Sequence, residues 1–526
     1  MSDWTSGYVA DVEYTTGYFT ELNPARLPLG LLNAGYTPPK VVNACELGFG
    51  MGMSIAMHAA TQPHVNWYGD DFNPDHVLFA RWLNDAAGAD AVLTDESFEA
   101  FCSRDDLPMF DMISLHGIWT WVGSRNREII VDFIARKLNV GGVVYCSYNV
   151  MPGWTVAAPI RELFVMHARM TAGKAHSSGQ KMEAALNFVS DLFDRDPAYL
   201  AANPQARAKL DQMKTMPHGY LSHEYMNAGW DPMYFNQIAE IMSEAKLQFA
   251  CSAGYHDAVD ELHLSPAQQA WLNEIESEPF RQTLRDFMLN TQFRKDYWVK
   301  GGLALPAEEQ VERIRDLRLV ALNTREAIEL KVTTVRGEVT LLPEVYELIL
   351  DAFADYRIHT LREIETAVQD KGVQFGQVLQ AVMLMSGIGN IGFAQSEAEV
   401  AKARPRTRTM NATIMARAEK AEGINYLASP VTGGAMAVGR MDQLFLQGWN
   451  AGLETPAELG GHAFSILEAK GQRVLLEGKP AETAEQSRAE LDRVAENFLV
   501  KMLPILRALE IAGREKMSPV GRKGAR

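Results

Sequence analysis

The sequence predicts an α/β fold in the first half of the chain and a mainly α-helical second half. Between about residues 40 and 150, short apolar runs alternate with segments of helical periodicity, a pattern that is typical of βαβ units and a parallel sheet. Each apolar run ends in small or polar residues. Ligands bind outside the carboxyl ends of the strands in open α/β sheets, so we expect the first half to build a site.

Five strands are predicted in this region, followed by two more beyond a helical segment. The five read "KVVNACELG", "VNWYGDDF", "DAVLTDESF", "FDMISLH" and "VVYCSYN". The alternation stops after Trp154, and "KMEAALNFVSDLF" has apolar residues at helical spacing, which predicts a helical insertion at 156–220. The runs "LQFACSAGY" and "FRKDYWVKG" then complete a seven-stranded sheet.

Length and charge limit the classes of partner. The 526 residues suggest three or four domains, and 50 basic against 66 acidic side chains give a formal charge of -16, which disfavours nucleic acids and anionic lipid surfaces. Four widely spaced cysteines favour a reducing compartment. The sequence shows neither a signal peptide nor a long apolar stretch, so we expect a cytoplasmic protein outside the membrane.

The stretch "ELGFGMG" follows the first predicted strand and precedes a predicted helix. Its glycines Gly48, Gly50 and Gly52 depart from the G-x-G-x-x-G dinucleotide pattern, because the third glycine comes one residue early. This spacing is the commoner one for S-adenosylmethionine. Glycine allows close approach of the backbone, and a helix N-terminus favours an anionic group such as a carboxylate. The alternative interpretation is a tight turn without a ligand.

Acidic residues follow the next two strands. Asp71 comes 19 residues after Gly52, where a carboxylate can accept hydrogen bonds from ribose hydroxyls, and the neighbouring Asp70 is the less favoured partner. After the third strand, Glu96, Ser97 and Phe98 offer a carboxylate, backbone N–H groups and an aromatic face to an adenine. For these three residues alone, an ordinary loop is an equally simple interpretation.

Several longer stretches resemble a known family. "FDMISLHGIWTWV", "SYNVMPGW", "YLSHEYMN" and "MYFNQIAEIMSEAKLQFACSA" are similar to bacterial class I S-adenosylmethionine-dependent methyltransferases that carry a methyltransferase regulatory domain. That group includes the rickettsial outer-membrane-protein lysine methyltransferases. The resemblance covers about residues 10 to 300 and extends to "YLASPVTGGAMAVGRMDQLFL" near the C-terminus. It implies a Rossmann-like seven-stranded sheet.

The resemblance also implies positions for the site residues. Around the cofactor it places Glu46, Gly48, Gly50, Asp71, Glu96, Ser97 and Phe98. Next to the reactive methyl it places His116, Gly117, Tyr148 and Asn149. Tyr148 and Asn149 can hydrogen-bond an incoming amine, and Trp119, Trp121 and Trp154 can wall a channel. Core packing of the tryptophans and a satisfied strand-end histidine are the alternatives.

The N-terminal stretch "VEYTTGYFTELNPARLP" precedes the first strand. In the resembled family such a segment folds over the cofactor as a lid, which makes Tyr14, Tyr18 and Phe19 candidate cofactor contacts. A surface-packed N-terminal arm is an equally simple interpretation. His218, His223 and Glu224 have a poor spacing for metal ligands, and we predict no metal site.

A winged-helix-like unit is predicted from about residue 310. Three amphipathic helices precede the short strand "NIGFA", and Thr360 and Glu363 have the spacing of a capping box. The third helix, "FGQVLQAVMLMSG", contains no lysine or arginine, so we expect protein contacts rather than DNA binding. "AKARPRTR" reads as a basic linker to a last helical unit, and the tail "GREKMSPVGRKGAR" reads as disordered.

The predicted domains are a methyltransferase domain at 1–155 and 221–305, a helical insertion at 156–220, a middle unit at 306–400 and a C-terminal helical unit at 401–526. The insertion is expected to form a homodimer. We expect an enzyme that methylates lysine side chains of proteins by direct in-line transfer. A methyltransferase of small molecules and a scaffold that only binds the cofactor remain as alternatives.

Overall fold

The structure is a computed structural model that describes residues 8–9, 11, 16–171, 177–420, 423–476 and 478–513. The predicted lid residue Tyr14 and the tail at 514–526 lie outside these ranges. Within them, no helix combines the length and the apolar character that crossing a membrane requires.

A seven-stranded sheet forms the centre of the first half and confirms the predicted fold class. Its order is β3-β2-β1-β4-β5-β7-β6, and β7 runs antiparallel to both β5 and β6. The five strands from β3 to β5 are mutually parallel, so their carboxyl ends meet at one edge. The strands are β1 (Asn43–Leu47), β2 (Asn66–Asp70), β3 (Val92–Thr94), β4 (Phe110–Leu115), β5 (Leu138–Asn149), β6 (Leu247–Ser252) and β7 (Phe293–Lys300).

Helices cover both faces of this sheet, because successive side chains of each buried strand point to opposite faces. Ala44 and Met112 pack on the side of the second and third helices, whereas Cys45 and Ile113 pack on the side of the fourth and fifth. The first helices are α1 (Leu27–Asn33), α2 (Met53–Thr61), α3 (Pro74–Ala87), α4 (Phe98–Cys102) and α5 (Ser124–Lys137).

The segment after β5 is helical, as the sequence predicts. Its helices are α6 (Ala157–Thr171), α7 (Ser178–Phe193), α8 (Ala198–Ala202), α9 (Gln205–Lys214) and α10 (His218–Tyr225). They enclose a separate small core that includes Phe164, Met182 and Leu210. The chain then returns to the sheet through α11 (Phe235–Glu244), α12 (Asp260–His263), α13 (Pro266–Asn273) and α14 (Glu278–Leu289).

The middle unit combines a three-stranded sheet of order β11-β8-β12 with a separate β9–β10 hairpin and a helical layer. Thr360 and Glu363 form the predicted capping box. The strands are β8 (Arg318–Ala321), β9 (Lys331–Thr334), β10 (Gly337–Thr340), β11 (His359–Thr360) and β12 (Ile391–Phe393). The helices are α15 (Ala307–Arg315), α16 (Pro343–Asp351), α17 (Leu361–Gln369) and α18 (Phe375–Gly387).

The C-terminal unit corrects one prediction. "AKARPRTR" is part of a long helix rather than a linker, because Ser396 and Glu399 cap its start and the helix continues through Pro405. The predicted boundary at residue 400 therefore falls inside a helix. The elements are α19 (Glu397–Ala418), β13 (Tyr426–Ser429), β14 (Gly434–Ala437), α20 (Arg440–Asn450), α21 (Pro456–Glu468), β15 (Leu475–Leu476), β16 (Lys479–Pro480), α22 (Ala484–Asn497) and α23 (Leu503–Ala508).

Candidate functional site

A cavity of about 270 Å³ opens at the carboxyl ends of β1, β2, β3 and β4. It has an acidic end, formed by Glu46, Asp70, Asp71 and Glu96, and a histidine end, formed by Phe19, His116, Gly117, Trp121 and Asn227. The predicted site residues that line it are Glu46, Gly48, Gly50, Asp71, Glu96, Ser97, Phe98, His116 and Gly117.

The glycine turn after β1 forms one wall of the cavity. Gly48 has a φ of 64° and Gly52 a φ of 66°, in the left-handed region that favours glycine. A Cβ atom on Gly48 would lie 2.8 Å from the side chain of Ile118, and one on Gly52 would lie 2.5 Å from Ala80. The turn therefore needs glycine at both positions to keep its conformation and to let α2 pack against α3.

Asp71 fixes the glycine turn to the start of α3. Its carboxylate accepts hydrogen bonds from the backbone N–H of Gly50 at 2.8 Å and of Asn73 at 3.0 Å. The ring nitrogen Nδ1 of His76 lies 3.1 Å from the same carboxylate. Asp71 thus connects the ends of β1 and β2 while it lines the cavity.

Glu46 is the second carboxyl group at this end. It is buried, and its Oε2 atom has no hydrogen-bond partner among the described residues. Burial, together with the nearby charge of Asp71, raises the pKa of Glu46 to about 8. Glu46 is therefore protonated at neutral pH and can donate as well as accept a hydrogen bond.

Asp70 and Glu96 complete the acidic end. Both carboxylate oxygens of Asp70 are buried and lack a hydrogen-bond partner within the described part of the chain. Glu96 accepts a hydrogen bond from Arg104 at 3.3 Å through Oε1, while its Oε2 atom is buried without a described partner. The acidic end therefore presents several acceptor atoms that the protein itself leaves unused.

His116 dominates the histidine end of the cavity. Its ring stacks on Phe19 with the ring centroids 3.6 Å apart, and its Nδ1 atom lies 2.8 Å from the Tyr145 hydroxyl. Burial lowers the pKa of His116 to about 4, so the imidazole is neutral at physiological pH. The next residue, Gly117, donates its backbone N–H to the Ser147 hydroxyl at 2.8 Å.

The structure corrects the position predicted for Tyr148. Ser147 faces the histidine end, so its neighbour Tyr148 extends to the opposite face of the sheet. There the Tyr148 hydroxyl donates to Asp296 at 2.5 Å, and Arg294 donates to the same carboxylate at 2.8 Å. Burial raises the pKa of Tyr148 well above its ordinary value. Tyr148 belongs to a buried ion-pair network and not to the cavity wall.

Asn149 and Trp154 also have structural partners. The backbone N–H of Asn149 donates to Thr120 at 2.9 Å, and its side-chain amide donates to Glu224 at 3.3 Å. Trp154 packs into the core of the helical insertion, and its indole N–H donates to the Gln292 carbonyl at 2.8 Å. Trp154 is therefore corrected to a core residue, while Asn149 lies behind the cavity wall.

Some of the remaining aromatic residues predicted for the site line the cavity, and others do not. Trp121 lines the cavity, whereas Trp119 is fully buried in the core between the sheet and α5. Phe19 lines the cavity, and its ring stacks on His116. Tyr18 does not line the cavity and instead lies between α2 and the C-terminal unit. Its hydroxyl lies 3.1 Å from Nε2 of His58 in α2, and its ring packs near Tyr426 of the C-terminal unit.

Sequence reasoning missed several lining residues. Phe72 and Ile118 follow strand ends, next to the predicted residues Asp71 and Gly117. These neighbouring positions could have identified them from the sequence. Asn227 and Gly229 come from the loop after α10, and no local pattern connects them to a strand end. A Cβ atom on Gly229 would lie 2.6 Å from the Trp121 carbonyl, so this loop packs closely against the cavity wall.

A larger and more open groove of about 1070 Å³ lies beside β6 and α14. Its three arginines are already paired: Arg281 with Glu278, Arg285 with Asp260, and Arg294 with Asp286 and Asp296. The glycine turn and the strand-end acids line the smaller cavity, so we place the site there. Across the described ranges, no cluster of three His, Cys, Asp or Glu side chains is arranged to hold a metal ion.

Residues 217–300 match the family described as "Predicted methyltransferase regulatory domain". The uncharacterized protein sll1526 of Synechocystis sp. is 36% identical over 513 residues, which cover 97% of this chain and 100% of the relative. The uncharacterized protein RP028 of Rickettsia prowazekii is 26% identical over 211 residues, covering 39% of this chain and 82% of the relative.

Among solved structures, PKMT2 from Rickettsia typhi in complex with AdoHcy has a similar fold, with a TM-score of 0.67. The alignment covers 92% of this chain and 98% of that chain at 16% identity, a level that establishes the fold alone. The near-complete match to sll1526 and the regulatory-domain match establish the family. The chain therefore belongs to the same family as sll1526, and its residues 217–300 match the predicted methyltransferase regulatory domain.

Proposed function

We propose that this chain transfers a methyl group from S-adenosylmethionine to the side-chain nitrogen of lysine in protein substrates. The observation that carries the proposal is the cavity in which the glycine turn meets four acidic side chains at neighbouring strand ends. Domains beyond a complete methyltransferase core suit a macromolecular substrate. The resemblance of "SYNVMPGW" and "YLSHEYMN" to the rickettsial lysine methyltransferases supports the lysine assignment.

The residues at the acidic end fit an adenosyl group with an amino-acid tail. Unused buried acceptors on Glu46, Asp70 and Glu96 suit a ligand that brings several N–H and O–H donors. Phe98 adds an apolar surface at this end. Gly48 lets Ile118 pack directly against the glycine turn that lines the cavity, because a Cβ on Gly48 would lie 2.8 Å from the Ile118 side chain. We assign Asp71, Glu46 and Glu96 to cofactor binding on this basis.

The bound cofactor supplies an electrophilic methyl group on a sulfonium centre. The protein's task is then to orient a neutral amine and to exclude water. A lysine side chain has an ordinary pKa of about 10.4, so the protein must favour its deprotonated form. The half-buried histidine end, lined by Phe19 and Trp121, is less well solvated than bulk water and therefore disfavours a charged ammonium.

Two groups near the histidine end carry acceptor atoms, of which His116 lines the cavity and Glu224 lies behind the lining residues. His116 is a neutral imidazole that lines the cavity. Glu224 is held by the Asn149 amide, and its backbone carbonyl lies 3.5 Å from the Trp121 indole nitrogen. We assign His116 to contact with the amine, and Asn149 to positioning of Glu224.

The test uses isotopically labelled S-adenosylmethionine and a cell lysate, with Asp71→Ala protein as the control for other methyltransferases in the lysate. We expect label in the protein fraction and, by mass spectrometry, methyl increments on lysine. Label found only in the small-molecule fraction would favour a methyltransferase of small molecules. Cofactor binding without any transferred label would favour a scaffold that only binds the cofactor.

We further propose that the helical insertion forms a homodimer in the cytoplasm. Met166, Met170, Phe188 and Tyr220 are exposed on its helices, and such apolar groups suit a contact with a second copy. Phe188→Asp is expected to halve the solution mass measured by light scattering. An unchanged mass for that variant, or a monomeric parent, would contradict the dimer.

The winged-helix-like identity of the middle unit and the predicted domain limits also stay predictions.

A further inference from the structure

The segment at 18–26 carries a cavity residue and also contacts the C-terminal unit. Phe19 lines the cavity and stacks on His116, with the ring centroids 3.6 Å apart. No described residue of the C-terminal unit lines the cavity. The turn at 430–433, which connects β13 to β14, nevertheless lies against this segment. One short segment therefore connects a wall of the cavity to a distant part of the chain.

Asn23 makes the direct connection to this turn. It is 5% exposed, and its Nδ2 atom donates to the carbonyl of Thr432, 409 positions away, at 3.0 Å. Its Oδ1 atom accepts from the backbone N–H of Ala25 at 2.9 Å and from the Gln62 amide at 2.9 Å. Because a backbone N–H can only donate, the orientation of the Asn23 amide is fixed and its donor group faces the turn.

Gln62 and Gly434 strengthen the connection. Gln62 follows α2, is 2% exposed, and also donates its amide to the Gly433 carbonyl at 2.6 Å. A Cβ atom on Gly434 would overlap with the Tyr18 hydroxyl and lie 2.9 Å from Nδ2 of Asn23. Buried polar groups are costly to leave without partners, so the turn and the segment are fixed to each other.

Asn23 and Phe19 flank a single 3-10 turn. The backbone N–H of Asn23 donates to the Thr20 carbonyl at 3.1 Å, and that of Leu22 donates to the Phe19 carbonyl at 3.2 Å. On the side of α2, the backbone N–H of Phe19 donates to the Ser54 hydroxyl at 3.0 Å. A displacement of Asn23 is therefore passed to Phe19 through one hydrogen-bonded turn.

We propose that Asn23 is a positioning residue for methyl transfer: held by the turn at 430–433, it keeps the Phe19 ring on His116. The inference rests on the proposed function, in which His116 contacts the amine. A stacked ring keeps water away from the imidazole and from an amine beside it. A misplacement of about 1 Å in an active site lowers turnover by up to about a hundredfold. The C-terminal unit therefore acts on the reaction without entering the cavity.

The protonation of His116 reports whether the ring stays in place. Burial lowers the pKa of His116 to about 4, and the charged groups that act on it, Glu21 and Lys295, are paired with each other at 2.6 Å. The Tyr145 hydroxyl lies 2.8 Å from its Nδ1 atom. If the Phe19 ring moves away, water reaches the imidazole, and the pKa of His116 should rise toward its ordinary value of 6.5.

The first measurement needs no substrate. The rate at which the imidazole C2 hydrogen exchanges for deuterium depends on the protonation of each histidine, and mass spectrometry of peptides reads it. Cleavage after Arg104 and Arg125 gives a peptide in which His116 is the only histidine. In Asn23→Ala protein, we expect the titration midpoint of His116 to rise by at least about one pH unit, as in Phe19→Ala protein.

Asn23→Ser separates the link to the turn from local capping. Its hydroxyl can still accept from the Ala25 N–H, but it cannot reach Thr432, so this variant should behave like Asn23→Ala. Circular dichroism checks that each variant folds, and Asn23→Ser replaces Asn23→Ala if the latter does not.

Asn84→Ala is the matched control. Asn84 is 6% exposed, donates to the Ala89 carbonyl at 2.8 Å and accepts from the Ala91 N–H at 3.2 Å, all within the loop after α3. Its loss removes buried amide hydrogen bonds of the same kind without a contact to the segment. The exchange profile of His116 should therefore stay as in the unaltered protein.

The second measurement is turnover, taken as the rate at which labelled methyl groups enter the protein fraction of the lysate. Asn23→Ala should lower this rate about tenfold, with an affinity for S-adenosylhomocysteine within about twofold of the unaltered protein, since the acidic end is untouched. When Phe19→Ala is already present, Asn23→Ala should cause no further loss, because it acts through that ring.

An unchanged titration of His116 in folded Asn23→Ala or Asn23→Ser protein would overturn the inference. So would additive losses of turnover in the double variant, or an equal shift of His116 in Asn84→Ala protein. The histidine measurement is independent of the methyl acceptor, so it decides the inference even if the labelling test shows that lysine is not the substrate.

Discussion

The two ends of the cavity differ in how far apart in the sequence their lining residues lie. The acidic end comes from one continuous stretch between Glu46 and Phe98, in which the four acidic residues lie at or just after the end of β1, β2 or β3. The histidine end combines Phe19, the turn after β4 and Asn227, which are far apart in sequence. Local turn chemistry therefore specifies the acidic end, and tertiary packing specifies the histidine end.

The two ends also differ in whether their polar side chains have hydrogen-bond partners within the protein. At the acidic end, Glu46, Asp70 and Glu96 keep buried acceptor atoms without partners in the described chain. At the histidine end, His116 and Asn149 are both hydrogen-bonded to other side chains. The acidic end is thus arranged to receive a polar ligand, whereas the histidine end is already fixed in place. Substitutions at the two ends should accordingly separate binding from turnover.

The largest expected effect is at Asp71. Asp71→Ala removes the acceptor for the N–H groups of Gly50 and Asn73, so the glycine turn loses its connection to α3. Hydrogen bonds to a charged group contribute about 1.5 to 3 kcal/mol, so S-adenosylhomocysteine should bind about ten- to a hundredfold more weakly. Titration calorimetry measures this affinity.

The control for Asp71 is Asp75→Ala, which removes an exposed carboxylate in the first turn of α3. It should leave the affinity within about twofold of the unaltered protein, since surface charges away from a ligand contribute little. Equal losses in both variants would show that charge at the start of α3, and not the Asp71 contacts, governs binding.

Tyr148→Phe tests whether the Tyr148 side chain lies on the face of the sheet opposite to the cavity. It removes the hydrogen bond to Asp296, which should destabilise the fold by about 1.5 to 3 kcal/mol. Calorimetry should therefore show a melting temperature lower by a few degrees, with unchanged turnover at a temperature where the variant is folded. Turnover lowered at full stability would instead return Tyr148 to the reaction, as the sequence alone suggested.

The contrast between Tyr148 and Gly48 shows how far sequence reasoning reaches. Gly48 was predictable because a strand followed by glycines and a helix requires a left-handed turn, and this is local information. Tyr148 was misplaced because the site face of β5 depends on side-chain alternation, and Ser147 occupies that face. Trp154 was misplaced because its partners, Tyr225 and Trp230, lie across the helical insertion. Asn227 carried no local signal at all.

The third prediction concerns pH and the histidine end. His116 has a pKa of about 4 in the folded protein against 6.5 ordinarily, so the unfolded chain binds its proton more strongly. Stability is therefore complete above pH 6.5 and is lost as the pH falls from about 6.5 toward 4. Between pH 7.5 and pH 5 this one group costs about 2 kcal/mol.

His116→Gln should remove that part of the acid sensitivity. The drop in melting temperature between the two pH values should be smaller in this variant than in the unaltered protein. The exposed His218→Gln serves as the control and should keep the full drop. If His116→Gln and His218→Gln lose the same amount of stability on acidification, the imidazole of His116 is not held neutral by burial.

The smallest expected effect is at Asn149, which acts through Glu224 and does not line the cavity itself. Its amide donates to the Glu224 carboxylate at 3.3 Å, a long hydrogen bond, and burial raises the pKa of Glu224. Asn149→Ala removes a stabiliser of the ionised form, so the pKa of Glu224 should rise further and the carboxylate should become less well oriented. A loss of about 1 kcal/mol corresponds to roughly fivefold lower kcat, with unchanged affinity for S-adenosylhomocysteine.

Asn149→Asp should lower kcat at least as much, because a second carboxylate replaces the donor. The kcat of Asn149→Ala should recover partly as the pH is raised and Glu224 ionises. A weaker affinity for S-adenosylhomocysteine with full turnover would place Asn149 at the acidic end and remove the separation between binding and turnover.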